Sequence, residues 1–285
     1  MTKNKIIKIA NFEISNDKPF FLMAGPCQAE SLDHSLFIAD GIKKICEKLH
    51  IPYVFKASFD KANRTSVSAK RGLGLEEGLK VFEQIKKKIG VPVITDVHLP
   101  EQAKPVAEVC DVLQVPAFLC RQSDLLEAIA KQGKPMHIKK LQCLAPWSME
   151  SVVKKCEAFG NDKIMLCERG TAFGYGTQVV DMRAFPVMAQ HGTPVTIDCT
   201  HAVQHPGGRT TGGNRDMAQV IASAAISVGV AGVFAEVHDN PPVAPSDAAN
   251  MIYLSKLEKI LTRLVLLDKI AKENPMEYEN YEIIM

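Results

Sequence analysis

Five basic side chains lie where they could bind anions together. Each is at or just after the end of a short apolar run, and helical stretches separate the runs: Lys56, Lys61, Arg64, Lys139 and Arg169. Positive charges withdrawn from water repel one another unless anions lie among them. Arginine binds phosphate and carboxylate through paired hydrogen bonds. If the fold gathers these residues, we expect a pocket for small phosphorylated or carboxylated substrates. If it does not, each is an ordinary solvated charge.

Four other residues have the side chains of a divalent-metal site, namely Cys27, His201, Glu236 and Asp247. Thiolate, imidazole and carboxylate together suit a borderline ion such as Zn, Fe or Mn. The four are far apart in sequence, so their spacing leaves a second interpretation open. In that interpretation Cys27 is a packed thiol, and the two carboxylates form ion pairs or cap helices.

Two titratable residues in the run TDVH (95–98) are candidates for moving protons. Asp96 and His98 could carry a proton or orient a neighbouring group. A histidine at the end of a strand is otherwise most often a hydrogen-bonded polar residue.

Whether these residues come together depends on the fold, which the sequence predicts as a regular alternation of strands and helices. Eight short β-rich runs are predicted strands: 19–24, 52–57, 91–96, 111–116, 135–140, 163–168, 194–198 and 232–237. The runs are continuously apolar, which is typical of parallel strands buried on both faces. Helical patterns lie between them, at 34–49, 76–89, 101–109, 123–132, 148–159, 181–191, 214–228 and roughly 247–272. In the last helix, apolar residues from Ile252 to Val265 recur at steps of three or four.

Eight strands alternating with eight helices in 285 residues predict an α/β fold, a (β/α)8 TIM barrel. An open doubly wound sheet is the alternative, but no G-x-G-x-x-G follows the first strand. In a closed barrel, strands one, seven and eight are neighbours, so the four candidate metal ligands could meet. Active sites of such barrels form at the carboxyl ends of the strands, and every predicted strand here ends in polar or ionisable groups.

We predict one catalytic domain over residues 1–285, because no linker or low-complexity stretch interrupts the chain. Residues 1–17 are expected to hold a short β-hairpin that lies outside the barrel and covers its bottom. The acidic tail, 273–285, is expected to lie at the surface or to face a partner.

Composition excludes several classes of protein. Apolar residues make up 46% of the chain, and the net charge is only +2, so we expect neither nucleic acid nor a membrane surface as a partner. No apolar run approaches the ~18 residues of a spanning helix, and the N-terminus lacks the pattern of a signal peptide. Eight dispersed cysteines without a CxxC pair indicate reduced thiols. The expected location is therefore cytoplasmic.

Several longer motifs together carry a resemblance to one family. They are AGPCQAES (24–31), FKASFDKANRTS (55–66), TDVH (95–98), QVPAFLCRQSDLL (114–126), IKKLQCLAPW (138–147), ERGTAFGYGTQVVDMR (168–183), THAVQHPGG (200–208), FAEVH (234–238) and PSDAANM (245–251). Over nearly its whole length the chain resembles the 3-deoxy-D-manno-octulosonate 8-phosphate synthase family, also called 2-dehydro-3-deoxyphosphooctonate aldolase.

The resemblance implies a metal-dependent enzyme. Family members with a cysteine after the first strand use a metal, whereas those with asparagine there do not, and this chain has Cys27. His201, Glu236 and Asp247 match the other ligand positions, so the implied cofactor is a divalent metal ion.

The implied reaction joins phosphoenolpyruvate, D-arabinose 5-phosphate and water, and releases phosphate. Lys61, Lys139 and Arg169 are implied to bind phosphoenolpyruvate, with Lys56, Ser58 and Gln114 beside them. Asn63, Arg64 and Thr65 are implied to hold arabinose 5-phosphate. Arg121 would reach the sugar phosphate of a neighbouring subunit, in a homotetramer. Catalytic roles fall to Lys61, Lys139, Asp96 and His98, with the lysines acting as charges or acids rather than as nucleophiles.

The chain departs from the family at three places. Thr65 replaces serine and keeps the hydroxyl, FGYGTQVV replaces FGYNNLVV, and His205 stands where leucine is common.

Three other functions remain as alternatives. The nearest is a heptulosonate phosphate synthase that uses erythrose 4-phosphate, against which the run KASFDKANR argues. A non-catalytic barrel would have lost the ionisable strand ends, and a Schiff-base aldolase would form a covalent adduct that borohydride traps.

Overall fold

Eight parallel strands form the centre of the molecule. The structure is a computed structural model, and it describes residues 3–64, 66–68, 70–176, 178–205 and 212–278. The strands, labelled β1 to β8, are Phe21–Gly25, Tyr53–Lys56, Val93–Asp96, Val112–Val115, Met136–Lys139, Ile164–Glu168, Val195–Asp198 and Gly232–His238.

The sheet closes on itself. Each strand pairs in parallel with the next, β7 pairs with β8 through Asp198 and Phe234, and β8 pairs with β1 through Glu236 and Gly25. The predicted (β/α)8 barrel is therefore confirmed, and an open doubly wound sheet is excluded.

Eight helices, labelled α1 to α8, follow the strands at Leu32–Leu49, Leu75–Ile89, Ala103–Val109, Ser123–Ala130, Met149–Ala158, Ala184–Ala189, Arg215–Val228 and Leu254–Glu273. The prediction that the last helix starts near residue 247 was wrong. Ile252–Tyr253 is instead a short strand that pairs with the end of β8. Asp247 has a φ of 52°, a left-handed conformation that no α-helix contains. No helix within the described ranges is both long and apolar enough to cross a membrane.

The predicted N-terminal hairpin is confirmed, and it packs against one end of the barrel. Its strands, Ile7–Ile9 and Phe12–Ile14, pair antiparallel. Ile7, Ile9 and Ile14 share one buried cluster with residues from six barrel strands: Phe21, Met23, Val54, Ile94, Val112, Met165 and Phe234. Several of these residues lie near the strand starts, so the hairpin closes the bottom of the barrel. Of the predicted tail, residues 279–285 lie outside the described residues.

The strand alternation divides the barrel interior into an apolar layer and a polar one. Side chains two residues apart along a strand point to the same face. Moving two residues toward the carboxyl end from Val54, Ile94, Val112 and Phe234 leads to Lys56, Asp96, Gln114 and Glu236. The same step leads from His137 to Lys139 and from Thr196 to Asp198. The upper layer of the barrel interior is therefore built from ionisable and amide side chains, all of them buried.

Candidate active site

The loop after β1 is fixed against the loop after β2. The Ser58 N–H donates to the Cys27 carbonyl at 3.3 Å, and the Ala29 N–H donates to the Ser58 carbonyl at 2.9 Å. Gly25 permits this approach, since a Cβ at that position would lie 2.1 Å from the Lys56 carbonyl oxygen. The backbone thus holds Cys27 and Ser58 next to each other at the top of the barrel.

The four candidate metal ligands meet at this point. One ligand atom from each of Cys27, His201, Glu236 and Asp247 lies within 4.8 Å of all the others. The Cys27 Sγ lies 3.1 Å from Asp247 Oδ2, and His201 Nε2 lies 3.4 Å from Glu236 Oε1. Both carboxylate oxygens of Glu236 are buried without a hydrogen bond from any described residue. A buried carboxylate in that state is costly unless a cation neutralises it, so the donor set fits a divalent ion.

The electrostatics of the four residues suit exchange of a proton for a metal. Burial, reinforced by the Glu236 carboxylate, raises the pKa of the Cys27 thiol well above its usual range. Burial would also raise the pKa of Asp247, but His201 and Lys61 outweigh it and hold that pKa at about 2. A bound ion would displace the thiol proton, as metals do at cysteine ligands.

Asp198 is a site residue to which the sequence analysis gave no role. Its Oδ2 lies 2.7 Å from His201 Nδ1, on the side of the ring opposite Glu236, and the Lys139 ammonium also contacts it. Burial would raise the pKa of Asp198, but His201 and Lys139 hold it well below its usual range. A carboxylate behind a ligating histidine orients the ring and raises its basicity. The Asp-x-x-His spacing in DCTH was the available signal.

Lys56 and Lys61 lie beside the metal ligands. Both ammonium groups donate to the Ser58 hydroxyl, at 3.1 and 3.2 Å. Lys56 also lies 3.8 Å from the carboxylates of both Glu236 and Asp96. Burial would raise the pKa of Asp96, but these two lysines outweigh it and hold that pKa well below its usual range. Lys56 and Lys61 therefore lie among carboxylates of opposite charge.

Asp96 is the end of a buried hydrogen-bonded chain across the barrel. The Gln114 amide donates to Asp96, and its carbonyl oxygen lies 2.9 Å from His137 Nδ1. Because that oxygen only accepts, His137 donates from Nδ1, and its Nε2 lies 2.9 Å from the Thr196 hydroxyl oxygen. The chain keeps Gln114 and Asp96 in one orientation beneath the lysines.

Lys139 and Arg169 occupy the opposite side of the site. The Lys139 ammonium lies 3.5 Å from the centre of the Phe234 ring. Arg169 donates to Gln178 at 2.8 Å and to Gln204 at 2.7 Å, and Gln204 donates to Asp247 at 2.7 Å. Gln204, which the sequence analysis did not select, therefore connects the arginine to a candidate metal ligand.

The remaining predicted site residues are less enclosed. Asn63 is exposed, Arg64 is half-buried and Thr65 lies outside the described residues. Arg121 is exposed, and its carbonyl accepts from Lys155 at 3.4 Å. Of the departures from the family pattern, residue 177 also lies outside the described ranges, whereas His205 lies in a short antiparallel pair opposite Gly212.

His98 lies at the edge of the polar layer. Burial lowers its pKa despite the nearby Asp96 carboxylate. Its ring meets Phe59 edge-on at 5.6 Å, and its Nδ1 has no hydrogen-bond partner in the described part of the chain. The imidazole is therefore neutral near pH 7 and has a free nitrogen.

Comparisons with known proteins identify the family of the chain. The family model of the DAHP synthetase I family matches residues 4–273. A protein from Rickettsia bellii (strain OSU 85-389) named 2-dehydro-3-deoxyphosphooctonate aldolase is 52% identical over 271 residues, 94% of this chain and 99% of its own. One of the same name from Bartonella quintana is 51% identical over 272 residues, 95% of this chain and 98% of its own. The chain therefore belongs to the DAHP synthetase I family.

Proposed function

We propose that this chain is a 3-deoxy-8-phosphooctulonate synthase. It condenses phosphoenolpyruvate with D-arabinose 5-phosphate and water, and it releases 3-deoxy-D-manno-octulosonate 8-phosphate, a precursor of a lipopolysaccharide sugar, and phosphate. The observation that carries the proposal is that relatives about half identical along nearly the whole chain bear the name 2-dehydro-3-deoxyphosphooctonate aldolase. The enzyme is a transferase that forms a carbon–carbon bond.

Phosphoenolpyruvate is proposed to bind between Lys61, Lys139 and Arg169. Its phosphate and carboxylate together need several cations, and buried or half-buried ones bind anions more strongly than exposed ones. Lys56, Ser58 and Gln114 complete this subsite beneath the substrate. What supports the assignment is that Lys56 and Lys139 belong to the polar layer at the top of the barrel and that Lys61, like Lys56, donates to Ser58.

Arabinose 5-phosphate is proposed to bind toward the outside of the barrel. Asn63, Arg64 and Thr65 follow β2 in the sequence and would hold the sugar and its phosphate. Arg64 has a buried Nε without a hydrogen-bond partner among the described residues, which leaves a donor for an anion. Arg121 is exposed on its own barrel, as expected of a residue that serves the site of a neighbouring subunit in a homotetramer.

In the proposed mechanism carbon 3 of phosphoenolpyruvate attacks the sugar aldehyde, water adds at carbon 2, and phosphate leaves from that carbon. Lys61 stays protonated: burial would lower its pKa, but the Cys27 sulfur and the Glu236 and Asp96 carboxylates raise it. Its positive charge can therefore neutralise the phosphate of phosphoenolpyruvate. His98, with a free ring nitrogen, can accept the proton of the attacking water, and Asp96 orients the lysines.

A divalent ion of the Zn, Fe or Mn class, held by Cys27, His201, Glu236 and Asp247, would orient and polarise the aldehyde or the attacking water. The thiol and the unpartnered Glu236 carboxylate support this ligand set. We also propose a cytoplasmic location, which the eight free cysteines support.

The experiment is an assay with two aldehydes. The purified chain, loaded with divalent metal, is given phosphoenolpyruvate and either arabinose 5-phosphate or erythrose 4-phosphate, and phosphate release is measured. We expect turnover with arabinose 5-phosphate alone. A heptulosonate phosphate synthase, which would use erythrose 4-phosphate, is the second candidate, and a preference for that sugar would overturn the proposal.

A further inference from the structure

A second group of metal-type side chains lies beside the candidate metal site. Glu30 precedes α1, His34 lies in its first turn, and His238 ends β8. One ligand atom from each lies within 4.8 Å of the others. His238 Nε2 is 2.9 Å from Glu30 Oε1, and His34 Nδ1 is 3.9 Å from the same oxygen. His238 is 3% exposed, so this group is set into the protein rather than displayed on its surface.

The Asp239 carboxylate contacts the ring nitrogens of His34 and His238 that do not face Glu30. Its Oδ1 lies 3.0 Å from His34 Nε2 and 3.0 Å from His238 Nδ1. Each ring therefore directs one nitrogen toward Glu30 and the other toward Asp239. Histidines that bind a metal almost always give their second ring N–H to a carboxylate or carbonyl, and here one carboxylate is placed to accept from both.

Hydrogen bonds among these side chains leave one buried ring nitrogen without a partner. The Nδ1 atom of His34 is buried and has no hydrogen-bond partner among the residues described. The two ring centres are only 4.6 Å apart, and Glu30 Oε1 already faces His238. With neutral imidazoles the four side chains carry two negative charges, which a divalent cation would balance.

We propose that Glu30, His34 and His238 bind a second divalent ion of the zinc class. Two imidazole nitrogens and one carboxylate are a common zinc donor set that leaves a fourth position for water. Binding through His238 Nε2 requires the proton on Nδ1, where Asp239 accepts it. The Asn240 N–H, which now donates to that nitrogen at 2.9 Å, gives up this bond.

The ion would link two elements that carry the candidate active site. Glu30 is three residues beyond Cys27, and His238 is two residues beyond Glu236. A bound ion joins the start of α1 to the end of β8, and any ligand that binds only the folded state stabilises it. The second site contains no thiolate, so it is chemically distinguishable from the first.

The test counts ions and identifies their ligands with Co²⁺, which stands in for zinc. Metal-stripped protein without an affinity tag is titrated without oxygen, while bound cobalt and the sulfur-to-cobalt charge-transfer absorption are measured. We expect two ions per chain, with the absorption reporting only the Cys27 site. His34→Ala should bind one ion fewer and keep the absorption, and Glu30→Gln should lose the same ion.

His191→Ala is the matched control, because His191 also pairs with a carboxylate, Glu150 at 3.3 Å, but lies outside both groups. It should bind as many ions as the unmodified chain. One ion per chain accompanied by the sulfur-to-cobalt absorption in the unmodified protein, or an unchanged count in His34→Ala, would overturn the proposal. Neither result bears on the synthase assay, so this proposal and the proposed function can fail independently.

Discussion

His201 Nδ1 lies 2.7 Å from Asp198 Oδ2, while the Nε2 atom of the same ring faces Glu236 at 3.4 Å. The Asp198 carboxylate also accepts the His201 backbone N–H, at 2.9 Å on its other oxygen. The Asp198 carboxylate therefore lies on the Nδ1 side of the ring, and Nε2 is directed at the other candidate metal ligands. Lys139 contacts the same carboxylate. Asp198 therefore contacts one residue of the candidate metal site and one of the proposed phosphoenolpyruvate subsite.

The first prediction concerns Asp198. Asp198→Asn keeps the shape but removes the charge that orients His201, so metal affinity should fall by about 10–100-fold, the usual effect of losing such a partner. Competition with a coloured chelator measures the change. Asp181→Asn, which breaks an exposed pair with Arg183, is the control and should leave affinity unaltered. Equal affinity in Asp198→Asn and the unmodified chain would contradict this role for Asp198.

The second prediction concerns Cys27. Cys27→Ala should lose the thiolate-bound ion and most synthase activity, because a buried ligand is removed from the set. Cys27→Asn should keep partial activity that chelators do not abolish, as the resemblance to metal-independent enzymes implies. Cys143→Ala removes the exposed thiol and should change neither property. Metal content and rate are measured on the same samples, and full activity of the unmodified chain after exhaustive chelation would refute the idea.

The third prediction separates the two substrates. Arg64→Ala and Arg121→Ala should each raise the KM for arabinose 5-phosphate far more than the KM for phosphoenolpyruvate. The loss of a charge-assisted hydrogen bond to phosphate should cost about 2–3 kcal/mol. Arg183→Ala, at an exposed arginine paired with Asp181, is the control. If both KM values rise equally, the two arginines do not belong to the sugar phosphate.

The fourth prediction is a pH dependence of stability. Burial, reinforced by Lys139, lowers the pKa of His137 from 6.5 to about 3. Between these values the unfolded chain takes up a proton that the folded chain does not, so the free energy of unfolding falls as pH falls. From about pH 7 to about pH 5 this one group should account for about 2 kcal/mol. Urea unfolding at several pH values should show that the free energy of unfolding of His137→Gln falls less steeply with falling pH than that of the unmodified chain. Equal dependence on pH in the two proteins would contradict the prediction.

The fifth prediction concerns the hairpin end of the barrel. The Lys272 ammonium, on α8, donates to the carbonyls of Asn16, Gly229 and Val230. Lys272→Ala leaves these acceptors without their donor and should lower the free energy of unfolding by about 1–3 kcal/mol. Lys269→Ala, on the same helix but 70% exposed, should cost less than about 0.5 kcal/mol. A loss of unfolding free energy no larger than that of the control would show that the three Lys272 hydrogen bonds contribute nothing to stability.

The sequence by itself determined the alternation of elements and the residues at the strand ends. Runs such as 91–96 and 232–237 are apolar because both faces of a barrel strand are buried, and this local property is visible without a structure. The strand order then implied that Cys27, His201, Glu236 and Asp247 could meet, since the first, seventh and eighth strands of a closed barrel are neighbours.

Only the tertiary structure decided contacts between residues on different elements. The apolar periodicity placed Ile252 in the last helix, but pairing with Val237 at the end of β8 makes it a strand. Periodicity reports which residues are buried, and both conformations bury Ile252, so the pattern could not separate them. The contact of Asp198 with Lys139 and the grouping of His34 with His238 likewise depend on how β5, β7, β8 and α1 are arranged around the barrel. The closed sheet fixes that arrangement, and no local pattern in the sequence encodes it.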